Sequence, residues 1–247
     1  MRLTIIGCGD AFGSGGRLQT ALHLSAGDAR YLIDCGASTL IGMHKLGLSP
    51  AEIDAVFISH LHGDHFAGLS WLLIDALFVS KRARPLIITG PRGIEARFVA
   101  ATEALYPGMT TTARPFDINF IEYDEGKRIE IAGAAVTPFE VLHPSGAPPY
   151  ALRVEAGGKT IAFTGDTGWT ENLCRAAMGA DLLVSECFQY DLHLDLHLDY
   201  QTINANFERL GASRVLLTHM GEAMLAERHK VDRSRYLLAE DGMLLDL

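Results

Sequence analysis

Residues 60–65 read His60-Leu61-His62-Gly63-Asp64-His65, placing four metal-capable side chains in six positions of a chain with ten histidines. This run leaves little freedom to what surrounds it. It follows the apolar, β-branched segment Ala55-Val56-Phe57-Ile58 and precedes Phe66-Ala67-Gly68-Leu69-Ser70-Trp71-Leu72-Leu73, which carries a helical pattern. The four side chains are expected on a tight turn between a buried strand and a helix N-terminus. Imidazole suits zinc and other first-row metals, and a carboxylate beside three imidazoles makes a mixed nitrogen and oxygen set of hydrolytic character. Alternation along so short a loop sends His60 and His62 one way and Asp64 and His65 another. That split matches two adjacent ions better than one.

About twelve short β-rich runs recur along the chain: residues 3–6, 21–25, 30–33, 55–58, 86–89, 119–122, 135–141, 151–155, 160–163, 182–184, 215–217 and 243–246. Helical patterns fall at 38–45, 66–79, 93–105, 170–178, 200–210 and 222–229. Gly157-Gly158 is a hairpin signal, and the segment from Tyr106 to Pro115, rich in threonine with two prolines, is expected to be a mobile excursion. The pattern implies two sheets flanked by helices, an α/β four-layer αββα sandwich, and no linker cuts residues 1–247 into smaller domains. At 48% apolar and 21% charged residues the composition is that of a globular enzyme. No apolar stretch approaches a membrane span, and the N-terminus turns polar too quickly for a signal peptide. Cys8, Cys35, Cys174 and Cys187 show no CxxC spacing, so reduced packing cysteines in a cytoplasmic protein are expected.

Other candidates follow strand-like runs in the same way. Asp34 follows Tyr31-Leu32-Ile33, His143 follows Phe139-Glu140-Val141-Leu142, Asp166 follows Ile161 to Gly165, and His219 follows Val215 to Thr218. One such residue is usually a turn or cap. Repeated alongside residues 60–65, the placement gathers side chains from several strands at one sheet edge.

With these pieces in order, the chain resembles the metallo-β-lactamase superfamily, through His60-x-His62-x-Asp64-His65, His143, Gly165-Asp166-Thr167 and Thr218-His219. The resemblance implies the αββα fold and a dinuclear centre at the edge of the sheets. It assigns His60, His62 and His143 to one divalent ion, Asp64, His65 and His219 to a second, and Asp166 as the bridge. Asp34 matches an aspartate that supports the ligand loop from behind. Zinc is the expected metal, with manganese or iron as substitutes. Di-iron oxidoreductases of the superfamily carry an acidic residue where His62 stands, so the hydrolytic branch is implied.

Finer features resemble the ribonuclease Z and phosphodiesterase branch: the glycine-rich opening Gly7-Cys8-Gly9-Asp10-Ala11 through Thr20, the turn Gly90-Pro91-Arg92-Gly93-Ile94, and Glu186 in Ser185-Glu186-Cys187-Phe188. His197 then stands where the branch pairs a histidine with that glutamate, although its alternating tract, Leu192 to Leu198, equally fits an amphipathic edge. Departures are also present. Met220-Gly221-Glu222-Ala223 replaces a Ser/Arg-containing stretch, the Arg-Asn element is partial around Arg17, and no long glycine- and lysine-rich arm interrupts the chain. With a net charge of −9, these absences argue against long nucleic acid and transfer-RNA 3′-end cleavage and towards a small phosphorylated substrate.

The expected activity is hydrolysis of a small phosphodiester or nucleotide by a metal-bridging hydroxide, with Asp64 orienting the attack and His197, held by Glu186, protonating the leaving group. Ester, thioester or lactone hydrolysis on the same centre is the alternative, and a non-catalytic metal-binding module a further one. The apolar helix around Trp71, Leu72, Leu73, Leu77 and Phe78 offers a surface for a homodimer.

Overall fold

A computed structural model describes residues 1–247 and contains two seven-stranded mixed sheets. The first holds β1 (Arg2–Gly7), β2 (Ala21–Ala26), β3 (Ala29–Ile33), β4 (Ala55–Phe57), β5 (Leu86–Gly90), β6 (Ile118–Glu122) and the C-terminal β14 (Leu244–Asp246), in the order β14-β1-β2-β3-β4-β5-β6. The second holds β7 (Ile129–Ile131), β8 (Ala134–Glu140), β9 (Tyr150–Ala156), β10 (Lys159–Phe163), β11 (Leu182–Glu186), β12 (Val215–Thr218) and β13 (Tyr236–Leu238), in reverse chain order. In both sheets one side is an antiparallel meander and the other a parallel run. The parallel strands bring their C-terminal ends to one edge, where loops can carry chemistry.

Strand alternation builds the layers. Leu3, Ile5, Leu22, Leu24 and Phe57 point inward and meet Val136, Leu152, Val154, Ile161 and Phe163 of the second sheet in one buried cluster. Their alternates, Ile6, Leu32, Val56 and Ile88, face α3 (Gly68–Phe78) and α4 (Ile94–Leu105). On the far side Ala162, Leu183 and Leu217 face α5 (Asn172–Ala177) and α6 (Tyr200–Ala205). Both faces of each sheet are covered, which is why the central strands read as continuous apolar runs rather than alternating ones. The architecture is the αββα sandwich expected.

Several local expectations are refined. Gly157 and Gly158, both at positive φ (54° and 73°), make the β9–β10 hairpin turn. The helix expected over 66–79 is broken at Ala67 into α2 (Gly63–Phe66) and α3, so Asp64 and His65 lie inside a helical turn rather than on the loop before it. Leu69, Leu72, Leu73 and Ala76 of α3 are buried in their own chain, which leaves only Phe78 and Val79 well exposed of the apolar surface offered for a dimer. The Tyr106–Pro115 segment has no regular structure but is tied back, Glu103 accepting from the Gly108 and Thr110 amides at 2.5 and 2.9 Å. All four cysteines are unpaired, three of them buried. No helix is long and apolar enough to cross a membrane.

Candidate active site

The C-terminal ends of β4, β10, β11 and β12, together with the loop after β8, converge on one cavity of about 200 Å³. It is lined by His62, Asp64, His143, Asp166, His197 and His219, with Ala11, Phe12 and Phe188 at its mouth. A larger cavity of about 570 Å³ lies at the far end of the glycine-rich loop and contains none of these histidines. Arg17 Nη2 pairs there with Glu240 at 3.0 Å, and the candidate metal-ligating side chains all gather at the smaller cavity.

Hydrogen bonding fixes which ring nitrogen faces inward. Asp34 is fully buried; its Oδ1 accepts from the Ser59 amide (2.7 Å), and its Oδ2 accepts from Ser59 Oγ (2.7 Å) and His65 Nδ1 (2.6 Å). His65 therefore turns Nε2 to the cavity, where burial lowers the imidazole but the Asp166 and Asp34 carboxylates raise it well above its ordinary range. Ser59 has spent its only proton on Asp34, so at 3.1 Å it must accept from His60 Nδ1, and His60 likewise presents Nε2. His143 Nδ1 donates to the Leu196 carbonyl (3.0 Å), again leaving Nε2 inward. Burial pushes the Asp34 carboxyl above its ordinary range, and His65 and the two Ser59 donors pull back part of that rise. Burial, and then the neighbouring His65, hold His60 well below the ordinary imidazole range, so it stays neutral.

These inward nitrogens face one another. His143 Nε2 lies 3.0 Å from His62 Nδ1, and His65 Nε2 lies 3.4 Å from His219 Nε2. His60 Nε2, Asp166 Oδ1 and His219 Nδ1 are buried without a hydrogen-bond partner. Asp166 Oδ1 lies 3.2 Å from His65 Nε2. Of the unpartnered atoms, His60 Nε2 and Asp166 Oδ1 face the ligand cluster, and acceptors buried there are costly unless a cation sits beside them, so the donor set fits metal ions. Two groups of ligand atoms each fall within 4.8 Å: His60, His62 and His143, and Asp64, His65, Asp166 and His219. Burial lowers His219, but Asp166 and a hydrogen bond to Asp64 raise it to about 9, a site where a proton occupies the place a cation would take.

Backbone strain holds two of these residues. Asp34 (φ 57°) and His219 (φ 55°) are left-handed, which costs on the order of 1–3 kcal/mol each. Gly165 (φ 59°) is required beside Asp166, because a Cβ there would lie 3.0 Å from the Tyr150 carbonyl and 3.1 Å from Ser59 Cβ.

His197 and Glu186 are brought together as well. His197 Nδ1 donates to Glu186 Oε2 at 3.0 Å, and the Thr167 amide donates to Glu186 Oε1. Burial and Asp166 push Glu186 up, whereas burial lowers His197 and Glu186 raises it past its ordinary value. With two N–H donors on the carboxylate, the proton rests on the imidazole. The His197 ring stacks on His219, centroids 6.1 Å apart and planes 11° apart. Every residue singled out for the site thus lies in one cluster. Sequence reading missed Ser59, although it directly precedes His60, and Phe12 and Phe188, whose role depends on exposure.

The family model of the anti-Pycsar protein Apyc1 matches residues 1–242. The chain belongs to that family. Within the metallo-β-lactamase superfamily the chain stands in the ribonuclease Z and phosphodiesterase-like branch. It is similar to ribonuclease Z of Mycobacterium tuberculosis, 26% identical over 239 residues that cover 89% of this chain and 85% of the relative. YhfI of Bacillus subtilis is 29% identical over 234 residues, covering 89% of this chain and 87% of YhfI. The crystal structure of human tRNase Z, short form, superimposes with a TM-score of 0.78 at 27% identity, over 100% of this chain and 99% of that one. These relatives and the histidine–aspartate cluster make the anti-Pycsar family member a metal-dependent hydrolase.

Proposed function

We propose that the protein hydrolyses a small phosphodiester or nucleotide at a centre of two divalent ions, zinc by preference and manganese or iron as substitutes. The observation that supports this most is the position of Asp166. Its Oδ2 lies 3.8 Å from His60 Nε2 and 3.9 Å from His143 Nε2, while its Oδ1 lies 3.2 Å from His65 Nε2 and 3.4 Å from His219 Nε2. One carboxylate oxygen faces each histidine set, as a bridge requires. His60, His62 and His143 would hold one ion, and Asp64, His65 and His219 the other.

Ions so held supply a water that ionises near neutral pH and positive charge for phosphoryl oxygens. The protein's own groups do the rest. Asp34 fixes the tautomers of His60 and His65. Asp64 accepts a proton bond from the attacking water and aligns it. His197 keeps Nδ1 on Glu186 and turns Nε2 to the departing oxygen, a general-acid contribution of roughly 10²–10⁴-fold. That acid favours phosphodiesters over thioesters, whose thiolate leaves unaided. The ribonuclease Z relatives favour a second reading, a phosphodiester within RNA, against which the net charge of −9 weighs.

Metal analysis of the purified protein, followed by a panel of model phosphodiester, RNA, thioester and lactone substrates, tests the reading. The expected outcome is two ions per chain and turnover of small phosphodiesters. One ion at full stoichiometry after metal soaking, or turnover confined to acyl substrates, would overturn it.

A further inference from the structure

His197 sits on a loop, residues 191–197, most of whose side chains lie in solvent. The two ends of the loop are tied. The Phe188 amide donates to the Leu198 carbonyl and the Tyr200 amide to the Gln189 carbonyl, both at 2.9 Å. Between those ties the loop must be seated from inside, and two hydrogen bonds from adjacent residues do this. The Leu196 carbonyl accepts from His143 Nδ1 at 3.0 Å, and His197 Nδ1 donates to Glu186 Oε2 at 3.0 Å. The first holds a candidate metal ligand in its tautomer, and the second holds the candidate acid. They form together only while residues 195–197 lie against the body of the protein.

Gly168 makes that approach possible. A Cβ built on it would lie 1.9 Å from the Asp195 carbonyl oxygen and 2.8 Å from the carbonyl carbon. Its φ is not positive, so space rather than backbone conformation demands glycine here. Nor can Gly168 step aside. Its amide donates to the Leu142 carbonyl at 3.0 Å, and Leu142 directly precedes His143. The Leu142 amide in turn donates to Thr167 Oγ1 at 3.0 Å, and the Thr167 amide donates to Glu186. The turn 166–168 thus carries Asp166, orients Glu186 and gives the loop its seat. A side chain on Gly168 would drive residues 195–197 outward by about 1 Å merely to reach a contact of 3.0 Å. Both seating hydrogen bonds are already at 3.0 Å and would be lost.

We propose that Gly168 is a positioning residue that makes one event of two: seating of the 191–197 loop fixes the His143 tautomer for its ion and places His197 at the leaving group. The inference rests on the two-ion phosphodiester reading above and names the residue through which ion binding and acid placement are coupled. Linkage makes the coupling reciprocal, so whatever seats the loop tightens that ion, and the ion in turn seats the loop.

Gly168→Ala adds one methyl group at the seat. Competition with a chelator should show the ion of His60, His62 and His143 weakened about tenfold or more, the loss typical of a ligand histidine without its orienting partner. The ion of Asp64, His65 and His219 should stay within about threefold of wild type, since its ligands do not touch the loop. At saturating zinc, kcat on a phosphodiester with an alkoxide leaving group should fall on the order of 10²-fold, the effect of a misplacement of about 1 Å, with KM little changed. In a His197→Ala background the same substitution should cost less than about threefold in kcat, because its effect runs through His197. Equal weakening of both ions would overturn the proposal, as would an equal kcat loss with and without His197, since Gly168 would then support Asp166 or the fold at large. Hydrogen exchange of the wild-type protein needs no substitution. Zinc should slow the amides of residues 191–197 together with those of residues 60–65. Slowing confined to residues 60–65 would overturn the coupling, even where the alanine variant does not fold. Zinc stoichiometry and turnover of bis(p-nitrophenyl) phosphate by the wild type are measured alongside. Two ions and turnover with an indifferent Gly168→Ala sink this inference alone. A single ion or no turnover sinks the phosphodiester reading, and the exchange experiment still decides whether zinc seats the loop.

Discussion

Replacing Asp34 with asparagine changes one atom and should disable ligands on both sides of the site. Asparagine tolerates the left-handed backbone that Asp34 adopts (φ 57°), so the substitution adds no strain. If its carbonyl oxygen keeps the Ser59 amide, its NH₂ group replaces Oδ2, which now accepts from both Ser59 Oγ and His65 Nδ1. His65 Nδ1 would then face a donor and must become the acceptor, moving the ring hydrogen to Nε2, where it points into the cavity. Ser59 Oγ would be freed to donate to His60 Nδ1, 3.1 Å away, and His60 would switch in the same sense. The flipped amide is no escape, because it sets NH₂ against the buried Ser59 amide at a cost of about 1–3 kcal/mol. Loss of a partner that orients a metal-bound histidine typically lowers affinity 10–100-fold, or about 1.4–2.7 kcal/mol. His60 and His65 belong to different ligand groups, so both ions should weaken by that amount. Competition with a chromophoric chelator measures both affinities, and circular dichroism checks the fold. Two zinc affinities within threefold of wild type, in a folded Asp34→Asn protein, would refute the tautomer argument.

His197→Ala should retain both ions and lose roughly 10²-fold or more in kcat on a phosphodiester with an alkoxide leaving group, with a smaller loss on a nitrophenyl ester; equal losses would mark a binding role. His23 is buried with Nδ1 unpartnered, and burial, helped by the Arg30 charge, lowers it to about 4. Its unfolded value is near 6.5, so the unfolded chain binds the extra proton between those values, and stability is full above about pH 6.5 and declines towards pH 4 by about 3 kcal/mol. Urea melts across that range should show a shallower decline in His23→Leu, and parallel curves would exclude the assignment. Arg82, 3% exposed, donates to the carbonyls of Arg84, Ala51, Ile53 and Pro85 at 2.6–3.1 Å, so Arg82→Ala should cost about 3 kcal/mol or more in the same assay by stranding them.

The readable parts of the site were those that chemistry forces to be local. His60 and His62 belong to one ligand group and Asp64 and His65 to the other, so one turn serves both and the four stand together in the chain. His143, Asp166 and His219 were findable because each follows an apolar strand, where parallel strands deliver side chains to one edge. What went unread depends on through-space partners. The Ser59 hydroxyl settles the tautomer of His60 only because Asp34, 25 residues away, takes its proton. Three-residue strands such as β7 and β13 carry too little pattern to register, and they exist because neighbouring strands offer them a ladder. The break between α2 and α3 follows from Gly68, whose missing side chain lets the helix lie against the Gly36 and Cys35 carbonyls.

The seam between the sheets also fixes when this centre can come into being during synthesis. The Tyr150 amide donates to the Ser59 carbonyl at 3.0 Å and the His219 amide to the Cys8 carbonyl at 2.9 Å, so each half of the cavity is clamped to the other by main-chain bonds. Residues 60–65 are made before their counterparts at 143, 166 and 219, the last of which follows His65 by 154 positions. A nascent chain on the ribosome therefore carries a histidine-rich turn without its opposite wall until His219 has been made. During that interval the turn offers only His60, His62, Asp64 and His65 of the candidate ligands, so an ion that needs the full set could be chosen only after the second sheet has docked.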